Sequence, residues 1–139
     1  MKPVVPDNSA AMPADMPADV PGDILIVEDD AIIALDFEQM VVEFGVTGVR
    51  IASSVAQALE MIDERAPDFA LLDIGLSKEK SFAVAGRLAA LQIPFAFVTG
   101  YSGDRAFPPE YSDRPRLSKP LARDELSAIL LGWQSSTAR

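Results

Sequence analysis

Three runs of four consecutive apolar residues limit what this chain can fold into: Ile24-Leu25-Ile26-Val27, Phe69-Ala70-Leu71-Leu72 and Phe95-Ala96-Phe97-Val98. A strand that is apolar at every position has no face for water, so it belongs in a parallel sheet covered on both sides. The stretches between the runs carry helical periodicity. A helix is predicted over roughly Asp30–Phe44, with Ile33, Phe37, Met40, Val41 and Phe44 on one face and Gly45 ending it. A second strand follows at Val49–Ala52, then a helix from about Ser54 to Arg65 with Val55, Ala58, Leu59 and Ile62 on its stripe. Ser54 suits the helix cap, and Pro67 prevents continuation. Further helices are expected over Phe82–Leu91 and from Arg123 to Trp133, and a fifth strand at Arg116–Ser118. Strands alternating with helices give a five-stranded, doubly wound α/β domain.

Between Thr99 and Arg116 the alternation calls for one more helix, but Gly103, Pro108 and Pro109 stand there. Proline removes backbone donors and biases its predecessor away from helical angles, so a short or disordered fourth helix is expected. Residues 1–22 read as a disordered tail rich in Pro, Ala and Asp, in which Met-Pro-Ala-Asp occurs twice, at Met12 and Met16. The ordered domain is expected over 23–134, with 135–139 as a C-terminal tail. The first residues have no apolar block of the signal-peptide kind, and no window approaches a membrane span, so the expected compartment is the cytoplasm.

The chain has no cysteine and no histidine, which excludes thiolate ligation, histidine acid–base chemistry and a phosphohistidine within these residues. The 21 acidic residues against 12 basic ones give a charge of −9, a balance that argues against nucleic acid as a partner.

Polar residues close the apolar runs, and in a parallel sheet those ends line one crevice. Glu28-Asp29-Asp30 follows the first run, Asp73 the second, Thr99 the third, and Lys119 the fifth strand. Like charges so placed repel, each pair costing about 4 kcal/mol at 4 Å and moderate dielectric, unless a cation neutralises them. With oxygen ligands alone, Mg2+ fits best: Asp29 and Asp73 directly, Glu28 through water, and a backbone carbonyl near Gly75. Asp30 reads as a helix cap. A carboxylate beside a bound cation can act as nucleophile and become an aspartyl phosphate, with Lys119 as counter-charge and Thr99 as hydroxyl donor.

Val27-Glu28-Asp29-Asp30, Leu71-Leu72-Asp73-Ile74, Val98-Thr99-Gly100 and Ser118-Lys119-Pro120, in that order, resemble a response-regulator receiver domain. The resemblance spans about Asp23 to Trp133. It implies a flavodoxin-like (CheY-like) sheet of order 2-1-3-4-5, and Mg2+-dependent phosphorylation of Asp73 by a histidine kinase or phosphotransfer protein. It further implies Thr99 as switch hydroxyl, Lys119 as phosphoryl contact and a cis peptide before Pro120. The expected protein is a single-domain response regulator, a phosphoryl acceptor and not an enzyme. It would signal to a downstream protein partner or pass the group on, as a monomer or weak dimer.

The segment Pro94-Phe95-Ala96-Phe97-Val98-Thr99-Gly100-Tyr101 is similar to the receiver subgroup with a Phe-Ala-Thr-Gly-Tyr-like motif. The aromatic residue usual in strand five is Arg116 here, which makes Tyr101 the candidate read-out residue. Two rival readings are a phosphorylation-independent interaction module and an aspartate-nucleophile phosphohydrolase. The latter usually has a second Asp two residues after the nucleophile, where this chain has Gly75.

Overall fold

The computed structural model describes residues 20–74, 81–99, 114–119 and 121–133. In chain order these form β1 (Asp23–Val27), α1 (Ala31–Glu43), β2 (Gly48–Ala52), α2 (Val55–Glu64) and β3 (Phe69–Asp73), followed by α3 (Phe82–Ala90), β4 (Phe95–Thr99), β5 (Arg116–Ser118) and α4 (Arg123–Leu131). The five strands are parallel, in the order β2-β1-β3-β4-β5. The expected short fourth helix lies at 100–113, outside the described residues.

Period-two alternation sorts the strand residues into two cores. Leu25, Val27, Ala70, Leu72, Phe95 and Phe97 pack against Ala58 and Ile62 of α2 and Val84 and Leu88 of α3. Ile24, Ile26, Phe69, Leu71, Ala96, Val98 and Leu117 pack against Phe37 and Val41 of α1 and Leu126 and Leu130 of α4. The sheet is thus covered on both sides, which is why β1, β3 and β4 carry polar residues only at their ends, Asp23, Asp73 and Thr99. β2 is an edge strand and largely half-buried, so its Arg50 reaches partly into water.

Local chemistry sets the helix boundaries. Asp30 caps α1, its Oδ1 accepting from the Ile32 and Ile33 N–H groups at 2.9 and 3.2 Å. Gly45 follows that helix at φ 106°, a conformation a side chain would strain. Ser54 caps α2 by accepting the Gln57 N–H at 3.1 Å, and the Gln57 side chain returns the favour to the Ser53 N–H at 2.8 Å. The α1 stripe differs slightly from expectation. Ala34 is fully buried beside Phe37 and Val41, while Ile33, Met40 and Phe44 pack at the margin of the core.

The end of α3 is strained. Gln92 sits at φ 61° in a Schellman turn, with the Ile93 N–H on the Leu88 carbonyl at 2.9 Å and the Gln92 N–H on Ala89 at 3.0 Å. Left-handed angles cost a side-chain residue about 1–2 kcal/mol, and glycine loses part of that gain through its unfolded-state entropy. Gln92→Gly is therefore expected to stabilise the protein by about 0.5–1 kcal/mol, read as a higher urea midpoint at unchanged slope. No helix among the described residues is long and apolar enough to cross a membrane.

Candidate functional site

Strand register brings the polar residues together. Val27 is level with Leu72, and Leu72 with Phe97, so Glu28 and Asp73 follow side by side at the carboxyl end of the sheet. Thr99 is level with Ser118, and the Lys119 N–H donates to the Thr99 carbonyl at 2.9 Å. Alternation continues through these ends. Glu28, Asp73 and Lys119 follow Ile26, Leu71 and Leu117 on the α1/α4 side, whereas Thr99 follows Phe95 and Phe97 on the other.

Asp29 is half-buried beside Glu28 and Asp73. One carboxylate oxygen from each of the three lies within 4.8 Å of the others. Glu28 and Asp73 are only 1% and 4% exposed, so water screens their repulsion poorly. Such a set, all oxygen and strongly anionic, fits a hard divalent cation such as Mg2+.

Lys119 supplies the positive charge already in place. Its Nζ lies 3.0 Å from Glu28 Oε1 and 3.4 Å from Asp73 Oδ1. The second Glu28 oxygen accepts the Asp30 N–H at 3.1 Å, and the Glu28 N–H donates to the Ala52 carbonyl at 2.9 Å. Burial pushes the Glu28 carboxyl above its ordinary pKa. Hydrogen bonds from Lys119 and the Asp30 N–H oppose that rise, and the charge of Asp73 adds to it. Burial acts to lower the Lys119 ammonium, but the Glu28 hydrogen bond and the two carboxylate charges outweigh it and raise the pKa. The lysine is therefore a cation throughout the neutral range.

Five of the sequence candidates converge here: Glu28, Asp29, Asp73, Thr99 and Lys119. Thr99 is joined to the group through its backbone carbonyl and is 9% exposed. Gly75, Tyr101 and Pro120 lie outside the described residues. The direct Glu28–Lys119 ion pair was not anticipated from sequence. Its signal was present: the two residues stand two positions after Ile26 and Leu117, apolar strand residues of the same face, and a buried acid there needs a cationic partner.

Known proteins agree with this architecture. The family model of the response regulator receiver domain matches residues 24–131. The phyllosphere-induced regulator PhyR of Methylorubrum extorquens is 30% identical over 127 residues, covering 84% of this chain and 46% of that protein. A transcriptional regulator PdtaR of Mycobacterium tuberculosis is 30% identical over 80 residues, 57% of this chain and 39% of that protein. The chain spans about half the length of the curated relatives it matches. Among solved structures, SdrG from Sphingomonas melonis Fr1 superposes with a TM-score of 0.70 at 36% identity, over 84% of this chain and 96% of that one. The PhyR stress response regulator gives a TM-score of 0.73 at 27% identity, over 91% of this chain and 50% of that one. With the parallel 2-1-3-4-5 sheet and the acidic pocket at its carboxyl end, the match places this chain in the response-regulator receiver family, whose members are generally non-enzymatic signalling proteins.

Proposed function

We propose that this protein is a response regulator whose Asp73 accepts a phosphoryl group from a histidine kinase or phosphotransfer protein. It would signal by protein contacts or by passing the group onward. The observation that carries this reading is the surroundings of Asp73: a carboxylate at the end of a buried strand, beside two acids and 3.4 Å from the Lys119 ammonium.

Receiver domains generally bind Mg2+ at an acidic pocket; here Asp29 and Asp73 would hold it directly and Glu28 through water, with a backbone carbonyl near Gly75 completing the set. When bound, that ion supplies positive charge against the phosphoryl oxygens. The chain's own part is nucleophilic. An Asp73 carboxylate oxygen attacks phosphorus, the new O–P bond forms, and the P–N bond of the donor phosphohistidine breaks. The leaving imidazole nitrogen keeps the electron pair and takes a proton from solvent. Lys119 faces the incoming phosphoryl oxygens, and the Thr99 hydroxyl serves as the switch that follows them. Phosphorylation adds charge and strong acceptors, enough to bias a two-state element.

The chain is assigned to the subgroup with the Phe-Ala-Thr-Gly-Tyr-like motif, with Tyr101 as read-out. The receiver unit is taken as 23–134, flanked by the Pro-rich segment 1–22 and by 135–139. Mixing the protein with Mg2+ and phosphorylated donor proteins, and following phosphate in both directions, tests the reading. One phosphoryl group is expected on the protein, and its return to an unphosphorylated phosphotransfer protein would establish onward transfer. Tyr101→Ala is expected to leave phosphorylation intact while removing the dependence of partner binding on it. Unchanged dependence, measured by calorimetry with the bound partner, assigns Tyr101 to packing.

A further inference from the structure

We infer that Ser81 is a two-state cap of α3, disengaged in this structure and engaged when Asp73 carries the phosphoryl group. The inference rests on the assignment of Asp73 as acceptor.

Helices α1, α2 and α3 each follow a residue whose side chain can cap them, and two of the three are capped. Asp30 and Ser54 have extended backbones, at ψ 115° and 165°, and their side-chain oxygens accept N–H groups of the first turn. Ser81 holds the same position before α3, but at φ −84° and ψ 13°, and its side chain makes no capping bond. The hydroxyl does not turn to water instead. Ser81 is fully buried, and its Oγ has no hydrogen-bond partner among the described residues. A buried hydroxyl in that condition is destabilising and uncommon in folded proteins. Its missing partners are close, because Val84 and Ala85 already donate to the Ser81 carbonyl at 3.0 and 3.1 Å. Rotation of the Ser81 ψ toward the values of Asp30 and Ser54 would bring Oγ onto the first turn.

That rotation falls on a weak link. The helix itself is held, with Val84, Ala85 and Leu88 fully buried and the Phe82 ring edge-on to Phe97 at 6.0 Å. The Ser81 N–H donates to the Ile74 carbonyl at 3.4 Å, a long bond. Ile74 directly follows Asp73, and its own N–H is fixed on the carbonyl of Val98, the neighbour of Thr99, at 3.1 Å. The residue that holds Ser81 is therefore attached to the acceptor. A phosphoryl group brings charge and strong acceptors to Asp73, and a small displacement of the Ile74 carbonyl breaks the 3.4 Å bond. Released, Ser81 gains a partner for its hydroxyl and α3 gains a cap, so both changes favour the second state.

The test compares Ser81→Ala and Ser54→Ala with the wild-type chain, using beryllofluoride and Mg2+ in place of the phosphoryl group. Three quantities are read: the thermal midpoint in chelator, the beryllofluoride dissociation constant, and amide exchange at Ala83 and Val84, the N–H groups within reach of a capping Ser81. In chelator, Ser81→Ala is expected to melt about 3–5 °C above wild type, because it deletes an unpartnered hydroxyl. Ser54→Ala deletes a working cap and is expected to melt lower by about the same amount. Beryllofluoride is expected to bind Ser81→Ala about tenfold more weakly than wild type, and Ser54→Ala equally well. It is expected to slow exchange at Ala83 or Val84 in the wild type and not in Ser81→Ala.

A chelator midpoint of Ser81→Ala at or below that of wild type shows that the hydroxyl is already bonded, and overturns the inference. Equal beryllofluoride affinity in Ser81→Ala and wild type, or exchange at Ala83 and Val84 that ignores the ligand, also overturns it. A wild type that takes neither beryllofluoride nor a phosphoryl group refutes the acceptor assignment and with it the trigger. The chelator midpoints then still decide whether the cap is disengaged.

Discussion

Asp73→Asn is expected to abolish phosphorylation completely and, at the same time, to make the metal-free protein more stable. The two effects have different origins. The first follows from chemistry: an amide oxygen does not displace a phosphohistidine as a carboxylate does. The second follows from charge. Asp73 is 4% exposed beside Glu28 and Asp29, within a cluster whose oxygens lie less than 4.8 Å apart. Each like-charge pair at that range costs about 4 kcal/mol at moderate dielectric before relaxation, and one lysine at 3.4 Å returns a similar amount. Two acidic neighbours against one cation leave about one unrelaxed pair, which relaxation and solvent around half-buried Asp29 reduce to a net relief of about 1 kcal/mol, or about 5 °C in the thermal midpoint of a domain this size. A calorimetric scan in chelator checks the sign. Saturating Mg2+ is expected to stabilise the wild type and to stabilise Asp73→Asn less. A clear loss of stability in chelator would mean that the Lys119 contact outweighs the crowding.

The second large effect lies at the opposite end of the sheet. Arg50 Nη2 contacts Asp23 Oδ2 at 2.9 Å and the Arg65 carbonyl at 2.8 Å, while Nη1 donates to the Met61 carbonyl at 2.9 Å. One guanidinium therefore closes the last turn of α2 and ties it to the start of β1. Arg50→Met keeps the aliphatic stem but strips the Arg65 carbonyl of its donor and leaves the Met61 carbonyl with the Arg65 N–H alone. Asp23 then depends on Arg65, whose side chain is 65% exposed. Breaking a fully buried pair costs about 3–5 kcal/mol; with Arg50 and Asp23 at 18% and 17% exposure, about 2–3 kcal/mol is expected. That corresponds to a midpoint lower by about 10 °C. Arg87→Ala, which breaks the exposed Asp63 pair between α3 and α2, is expected to change stability by less than about 0.5 kcal/mol. Equal effects of the two substitutions would show that Arg50 is no more than a surface charge. Phosphorylation of Asp73 is expected to survive Arg50→Met at temperatures where the variant remains folded.

Much of this architecture is legible because its signals are local. Runs that are apolar at every position require a doubly covered sheet, and the structure places Ile24 and Leu25, or Phe69 and Ala70, in different cores as alternation demands. The site was legible for a related reason. Parallel strands deliver their last residues to one rim, so Asp29, Asp73 and Lys119 could be grouped without knowing any contact. Pairings that depend on register and side-chain reach were not legible. Nothing in the string Val49-Arg50-Ile51 says that Arg50 will span to Met61 and Arg65. Likewise, an acid with a water-mediated role in view hid the direct Glu28–Lys119 pair, which requires β1 and β5 to be brought over the end of β3.

The central claim is that Asp73 carries the phosphoryl group. Its most direct test is to treat the protein with acetyl phosphate and Mg2+, trap the acyl phosphate with borohydride, and map the reduced residue by peptide mass spectrometry. The expected result is a single modified site, Asp73, absent when Mg2+ is chelated. Modification at Asp29 or Asp30 instead, or an unmodified Asp73 under conditions that phosphorylate a control receiver domain, would contradict it.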